Sequence, residues 1–205
     1  MNNEDLKTYW DQEMYSKRKK IWGMEPSNVA KSAVSFVGIE NLKGKRILDI
    51  GCGYGRDTKY FNTLSANAFG IDFSDEAINM ALQHLPKDIV FTVGDVLDIP
   101  YSKDYFDLCF CNCVIHWFSH ENIRKAISEA YRVLKKDGTA IFGIPEFDNE
   151  EIEDCVFFYN SLKYLKNDMI EDFKSFKKIC IEEIKEYHTH GGMHEHTIQV
   201  VYATK

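Results

Sequence analysis

The stretch Leu48-Asp49-Ile50-Gly51-Cys52-Gly53-Tyr54-Gly55 decides the reading of this chain. It begins inside a short β-run, Arg46 to Ile50, and leads into a helical stretch from about Arg56 to Leu64. Three glycines at alternate positions between a strand and a helix permit a tight turn. They also let backbone approach a ligand with no Cβ in the way. The ligand of such a loop lies beyond the carboxyl end of the strand, at the mouth of a sheet. A dinucleotide fingerprint requires G-x-G-x-x-G. Here the third glycine falls one residue early and Arg56 holds the fingerprint position, which weighs against a nicotinamide cofactor.

Outward from this loop, apolar β-runs alternate with helical patterns. Ala68–Asp72 is a second run, followed by Ser74 as a helix N-cap with Asp75 and Glu76 in the first turn, where acids favour the helix dipole. Ile78, Ala81, Leu82 and Leu85 recur at helical spacing. Ile89–Val93 and Phe106–Cys111 are the third and fourth runs. A helix is expected from about Glu121 to Lys136, ended by Lys135, Lys136 and Gly138. The fifth run, Thr139–Ile144, is expected to stop at Pro145. Repeated β-α units of this length imply a parallel sheet with helices on both faces. Near the end the rhythm changes: helices over 149–175, a strand from Phe176 to Tyr187, a Gly-Gly turn at 190–193, and a strand from Thr197 to Thr204 suggest an antiparallel hairpin. Before the first strand, Leu6, Tyr9, Trp10 and Met14 share one helical face, and a second helix reaches about Val37.

The strand ends carry the chemistry. Asp72 follows Asp49 by 23 residues, and Asp95 follows Asp72 by 23. A carboxylate at the second strand end can accept from both hydroxyls of a ribose. Asp95 or an adjacent amide can read an adenine edge, and Asn112 and Cys113 follow the fourth strand beside the same crevice. Four successive strand ends thus offer polar groups to one ligand.

In this order, the segments ILDIGCGYGRDTKYF, FGIDFSDEAINMA, VGDVLDIPYSKDYFDLCFCNCVIHW and RVLKKDGTAIFGIP resemble the class I S-adenosylmethionine-dependent methyltransferases, over roughly residues 40–145. The start, YWDQEMYSKRKKIWGMEPS, looks like the lid of small single-domain, type 11 or tellurite-resistance-like members. The resemblance implies S-adenosylmethionine as cofactor and S-adenosylhomocysteine as product. It places Gly51 and Gly53 at the amino-acid part of the cofactor and Asp49 at that loop and the ammonium. It places Asp72 on the ribose, Phe73 against the adenine, Asp95 and Val96 at the adenine amino group, and Asn112 near the methionine moiety.

The sulfonium of that cofactor is already activated, so the protein has mainly to align nucleophile, methyl and sulfur and to exclude water. His116, just past the fourth strand, is the candidate general base, needed only if the nucleophile carries a proton. Trp10, Trp22 and Trp117 are candidates to line or cover the acceptor pocket. His194 and His196 share a strand face and are candidate acceptor contacts rather than metal ligands.

Composition narrows the partners. The formal net charge of −7 opposes binding to phosphate backbones, and Lys17–Lys20 reads as a solvated helix face, so no nucleic acid is expected. No apolar run reaches membrane-spanning length, and the acidic start does not read as a secretory signal; a cytoplasmic protein is expected. Six cysteines without a CxxC pair point to free thiols, and no metal is expected. Cys109, Cys111 and Cys113 alternate along one strand, which would set them on one face.

The fold expected is α/β: a doubly wound, Rossmann-like, seven-stranded and mostly parallel sheet with an antiparallel last strand and an N-terminal helical cap. Residues 1–205 are read as one domain, with the cap over 1–38, the cofactor-binding core over 40–145, and a helical insert and terminal hairpin over 146–205. The function expected is methyl transfer to a small-molecule acceptor. The alternatives are another Rossmann-type nucleotide-dependent enzyme, or a cofactor-binding protein without turnover.

Overall fold

The computed structural model describes residues 3–18, 22–146, 170–188 and 194–205. Its centre is a seven-stranded sheet of order β3-β2-β1-β4-β5-β7-β6. The strands are β1 (Arg46–Ile50), β2 (Asn67–Asp72), β3 (Val90–Val93), β4 (Phe106–Asn112), β5 (Leu134–Glu146), β6 (Lys178–His188) and β7 (His194–Thr204). β1 pairs parallel with β2 and β4, β2 with β3, and β4 with β5. β7 runs antiparallel between β5 and β6, as the sequence led us to expect. The turn joining β6 to β7 and residues 147–169, read from sequence as part of the helical insert, lie outside the described residues.

Register sets the site. Ile50 pairs with Ile71 on one side and with Cys111 on the other, so β1, β2 and β4 end at one level. The order reverses at β1, which opens a crevice beyond its carboxyl end. Strand parity then sorts the side chains. Leu48 and Ile50 join Cys109, Cys111 and Phe142 against α5 (His120–Val133). Ile47 joins Phe61, Phe110 and Ile141 against α2 (Asn28–Val37) and α3 (Arg56–Thr63). Asp49 shares the parity of Ile47, and there the Thr58 hydroxyl of α3 donates to its Oδ2 at 2.5 Å. Cys113 departs from the expected alternation. It lies past the end of β4 with φ +57° and packs with the cluster opposite to Cys109 and Cys111.

The helix after β4 ends at Val133, not at Lys136. The amides of Asp104 and Tyr105 take the carbonyls of Arg132 (3.0 Å) and Val133 (2.7 Å), so the last turn is satisfied by the approach to β4. Leu134 begins β5 opposite Phe106, and Lys135 leaves the helix to donate to Asp107 at 2.9 Å. Pro145 does not stop β5, because β7 continues beside it through Pro145↔Ile198 and Glu146↔Thr197. On α4 (Asp75–His84), Ser74 caps the helix by accepting from the Ala77 amide. Ala77, Ile78 and Ala81 are buried there, while Leu82 is exposed.

The N-terminal cap differs most from expectation. α1 (Asn3–Thr8) passes into a π-helix over Tyr9–Arg18. The wider winding brings residues five apart together, and the Trp10 and Tyr15 ring centroids lie 5.6 Å apart. Leu6, Met14 and Tyr15 are buried, while Tyr9 and Trp10 stay half-buried, in place of the single α-helical face read from sequence.

Candidate active site

The glycine loop closes on itself before it holds anything else. The Cys52 amide donates to the Ile71 carbonyl at 2.9 Å, and the Gly55 amide to the Cys52 carbonyl at 2.9 Å. Gly51 has φ +69°, and a Cβ there would lie 2.2 Å from Val114 Cγ2. Gly53 has φ +54°, and a Cβ there would lie 2.8 Å from the Tyr15 hydroxyl. Both positions therefore need glycine for conformation and for space.

Asp72 ties this loop to the next helix. Its Oδ2 accepts from the Gly53 amide and its Oδ1 from the Ser74 amide, both at 2.9 Å. Burial nevertheless pushes its carboxyl up to about 6. Asp49 is pushed further, to about 8, first by burial and then by the charge of Asp57. The Thr58 hydrogen bond and the charge of Arg56 oppose the shift without cancelling it. At the end of β3, Asp95 Oδ1 accepts from the Leu97 amide at 2.8 Å.

One cavity collects these groups. Its wall includes Asp49, Gly51, Gly53, Asp72, Phe73, Asp95, Val96 and Asn112, drawn from the ends of β1 to β4. Trp10, Trp22 and Trp117 line it too. Trp10 lies 5.9 Å from Trp22 and 5.3 Å from Trp117 between ring centroids, so the tryptophans form a continuous aromatic wall. The N-terminal helix is docked over the cavity by polar contacts. Lys7 pairs with Asp75 at 2.5 Å, and Asp11 accepts from the Ser74 hydroxyl and, at 3.3 Å, from the Glu76 amide.

Comparison with known proteins agrees with this geometry. A family model described as a methyltransferase domain matches residues 48–142. An uncharacterised protein of Methanocaldococcus jannaschii is 30% identical over 200 residues, covering 87% of this chain and 93% of that one. The chain belongs to the class I S-adenosylmethionine-dependent methyltransferases. The malonyl-[acyl-carrier protein] O-methyltransferase of Erwinia billingiae is 30% identical over 107 residues, which is 52% of this chain and 41% of that one. The chain thus spans about two-fifths of that enzyme. The magnesium protoporphyrin IX methyltransferase of Synechocystis, solved with bound S-adenosylhomocysteine, superposes with TM-score 0.76 at 15% identity and full coverage of both chains, a likeness of fold.

The site of this methyltransferase suits the cofactor of its family. Asp49 and Asp72 are buried carboxylates at the glycine loop, held above the ordinary carboxylate range because Arg56 and Lys7 offset their desolvation only in part. A ligand that brings an ammonium and a sulfonium supplies the missing positive charge.

The histidines fare differently. Val114, Trp117 and Phe118 line the cavity, but His116 does not; its ring lies against Trp117, with centroids 5.3 Å apart. Burial and the nearby His196 push its imidazole down to about 3, far below the range of an efficient general base at neutral pH. The structure thus places His116 beside the aromatic wall and not on the cavity lining. His196 lies on β7 opposite Glu186 and does not line the cavity, and the side chain of His194 falls outside the described residues. Among the described residues, Glu186 is the hairpin residue that reaches the site. Sequence reading missed it, and gave no role to Tyr15, Tyr54, Arg56 and Asp57, which share the wall. Arg56 and Asp57 directly follow the glycine loop, which was a local signal; Glu186 had none. Among the described residues no group of three or more His, Cys, Asp or Glu could hold a metal ion, and no helix is long and apolar enough to cross a membrane.

Proposed function

We propose that this methyltransferase acts on a small, largely apolar acceptor held between the glycine loop and the aromatic wall, and not on nucleic acid. The observation that carries the reading is the set of three mutually packed tryptophans that line the cavity together with backbone and a few carboxylates. Apolar walls with few polar groups are the usual form of a small-molecule site. The net charge of −7 adds to it, since a polyanion would be repelled.

S-adenosylmethionine, when bound, supplies a methyl group already activated by the sulfonium. The chain's own task is positioning. Gly51 and Gly53 give backbone access to the amino-acid end, with Asp49 beside the ammonium. Asp72, rigidly held by the Gly53 and Ser74 amides, presents its remaining lone pairs to the ribose. Phe73, Asp95 and Val96 frame the adenine, and Asn112 stands at the methionine end. Trp10, Trp22 and Trp117 exclude water from the acceptor side, which strengthens each electrostatic contact there.

The test is a methylation assay with labelled cofactor on cell extract fractionated by size. Label is expected below a small-molecule cutoff, with formation of S-adenosylhomocysteine. Label chiefly in RNA or protein would refute the acceptor class. Binding without turnover on any fraction would favour a cofactor-binding role.

A further inference from the structure

We infer that the acceptor is an amine, carried into the site as a cation, with Glu186 as the residue that selects it; this rests on the small-molecule reading above. The argument begins with where charge stands along the sheet. Asp95 follows β3, one edge of the sheet, and Glu186 lies on β6, the other edge. A cofactor that spans the ends of β1 to β3 leaves the β4 to β6 side of the cavity for the acceptor. That side holds Glu186, Asp57 and Arg56 together with Trp22 and Trp117.

The local charges do not cancel. Glu186 and Asp57 are buried, at 5% and 6% exposure, and share a single cation, Arg56. Arg56 reaches neither carboxylate within hydrogen-bond distance: Nε lies 3.8 Å from Asp57 Oδ2, and Nη2 lies 3.7 Å from Glu186 Oε1. Its hydrogen bond goes to the Trp22 carbonyl at 3.3 Å. Asp57 spends both oxygens on Ser27, accepting from its amide at 2.7 Å and its hydroxyl at 2.8 Å. Glu186 Oε2 accepts from the Asn28 amide at 2.8 Å, the Val29 amide also donates to this carboxylate, and Arg56 stands off at 3.7 Å from Oε1. Two buried carboxylates thus share one cation at a distance, which leaves the pair with surplus negative charge; burial raises the Glu186 carboxyl above the ordinary range, and Arg56 with the Asn28 and Val29 amides opposes this only in part.

A carboxylate or phosphate on the acceptor would meet this surplus in a desolvated cavity and be disfavoured. A cation is favoured twice, by Glu186 and by aromatic rings, which attract ammonium groups through their quadrupoles. The apolar wall takes the rest of the molecule. In the step itself, the acceptor ammonium gives one proton to the Glu186 carboxylate. The freed nitrogen lone pair forms the new N–CH3 bond as the methyl–sulfur bond breaks, its electron pair staying on sulfur as a neutral thioether. The N-methylammonium leaves, and Glu186 returns its proton to solvent.

The experiment uses the purified full chain, labelled S-adenosylmethionine, and extract below the small-molecule cutoff, split at pH 7 into cation-exchanger-bound, anion-exchanger-bound and unretained fractions. Label is expected in the cation-bound fraction, and prior treatment of that fraction with sulfo-N-hydroxysuccinimide acetate, which blocks primary and secondary amines, should lower it at least tenfold. Glu186→Gln should raise KM for that fraction at least tenfold while S-adenosylhomocysteine affinity changes less than twofold, and Glu186→Asp should restore part of the loss. Label in the anion-bound or unretained fraction, or label indifferent to amine blocking, would overturn the proposal without touching the small-molecule reading. Label found only above the cutoff would overturn both. The blocking arm needs no variant, so a Glu186→Gln chain that fails to fold does not spare the proposal.

Discussion

Replacing Asp49 by Asn should make the apo methyltransferase more stable and its cofactor binding worse. The Asp49 carboxyl is 3% exposed at the end of β1 and is pushed up to about 8, chiefly by burial. The same group in the unfolded chain titrates near its ordinary value of about 3.9. Between these values the native protein keeps a proton that the unfolded chain has released. Stability therefore falls as pH rises from about 4 to about 8, because the native state binds more protons than the unfolded state there. A shift of roughly four units sets a ceiling of about 6 kcal/mol above pH 8, and about 4 kcal/mol at pH 7. The Asn amide has nearly the same shape, can accept the Thr58 hydroxyl hydrogen bond through its oxygen, and does not titrate. Its NH2 must be desolvated in the same place, at about 1–3 kcal/mol, so the expected net gain for Asp49→Asn is on the order of 1–3 kcal/mol at pH 7. That advantage should shrink as pH falls toward 4. Urea unfolding of both apo proteins across pH 5 to 8.5 reads the difference directly, and pairing the two curves removes the contribution of every other titrating group. Calorimetry should show S-adenosylhomocysteine affinity lowered at least tenfold, since the ligand ammonium loses its counter-charge. In the wild-type chain, binding near pH 7 should release a proton, seen as a buffer-dependent enthalpy. A variant less stable than wild type throughout pH 6 to 8, or a difference that does not change with pH, would refute the reasoning.

S-adenosylhomocysteine should raise the melting temperature by mass action, whereas NAD at the same millimolar concentration should not; the reverse order in a thermal scan would contradict the site. Asp72→Ala should weaken S-adenosylhomocysteine binding by about 1.5–3 kcal/mol, the worth of hydrogen bonds to a charged group. An unchanged Kd by calorimetry in a folded variant would remove the ribose role. Gly51→Ala adds a Cβ at φ +69° and 2.2 Å from Val114 Cγ2. It should destabilise the fold by about 2–4 kcal/mol in urea, and Val114→Ala in the same chain should restore only the steric part because the backbone strain remains.

The amino-acid sequence by itself determined the features that depend on neighbours in the chain. A β-run, alternating glycines and a helix are contiguous between Arg46 and Thr63, so the loop and its place at a strand end were legible from residue order alone. Asp49, Asp72 and Asp95 were legible for the same reason, since each lies at or near the end of an apolar run. Ser74 as a cap needed only its own hydroxyl and the Ala77 amide three residues on. What tertiary structure alone decided depends on distant partners. Helix α5 stops at Val133 because amides from Asp104 and Tyr105 take its last carbonyls, and no local signal outweighs the helical pattern of Leu134 to Lys136. The π-winding that sets Trp10 on Tyr15 accompanies docking on α4 through Asp11 and Lys7, whose partners lie more than sixty residues away. His116 was read as a candidate base from its nearness to β4, whereas its contact with Trp117 and its lowered pKa, caused by burial and by His196 on β7, depend on the tertiary structure. Glu186 enters the cavity because β6 pairs with β7 at the far edge of the sheet and α2 offers it the Asn28 amide, 158 residues earlier in the chain. Periodicity and spacing report the backbone's local preferences, whereas the charge of a buried group and the company it keeps are set by which distant segments the sheet brings together.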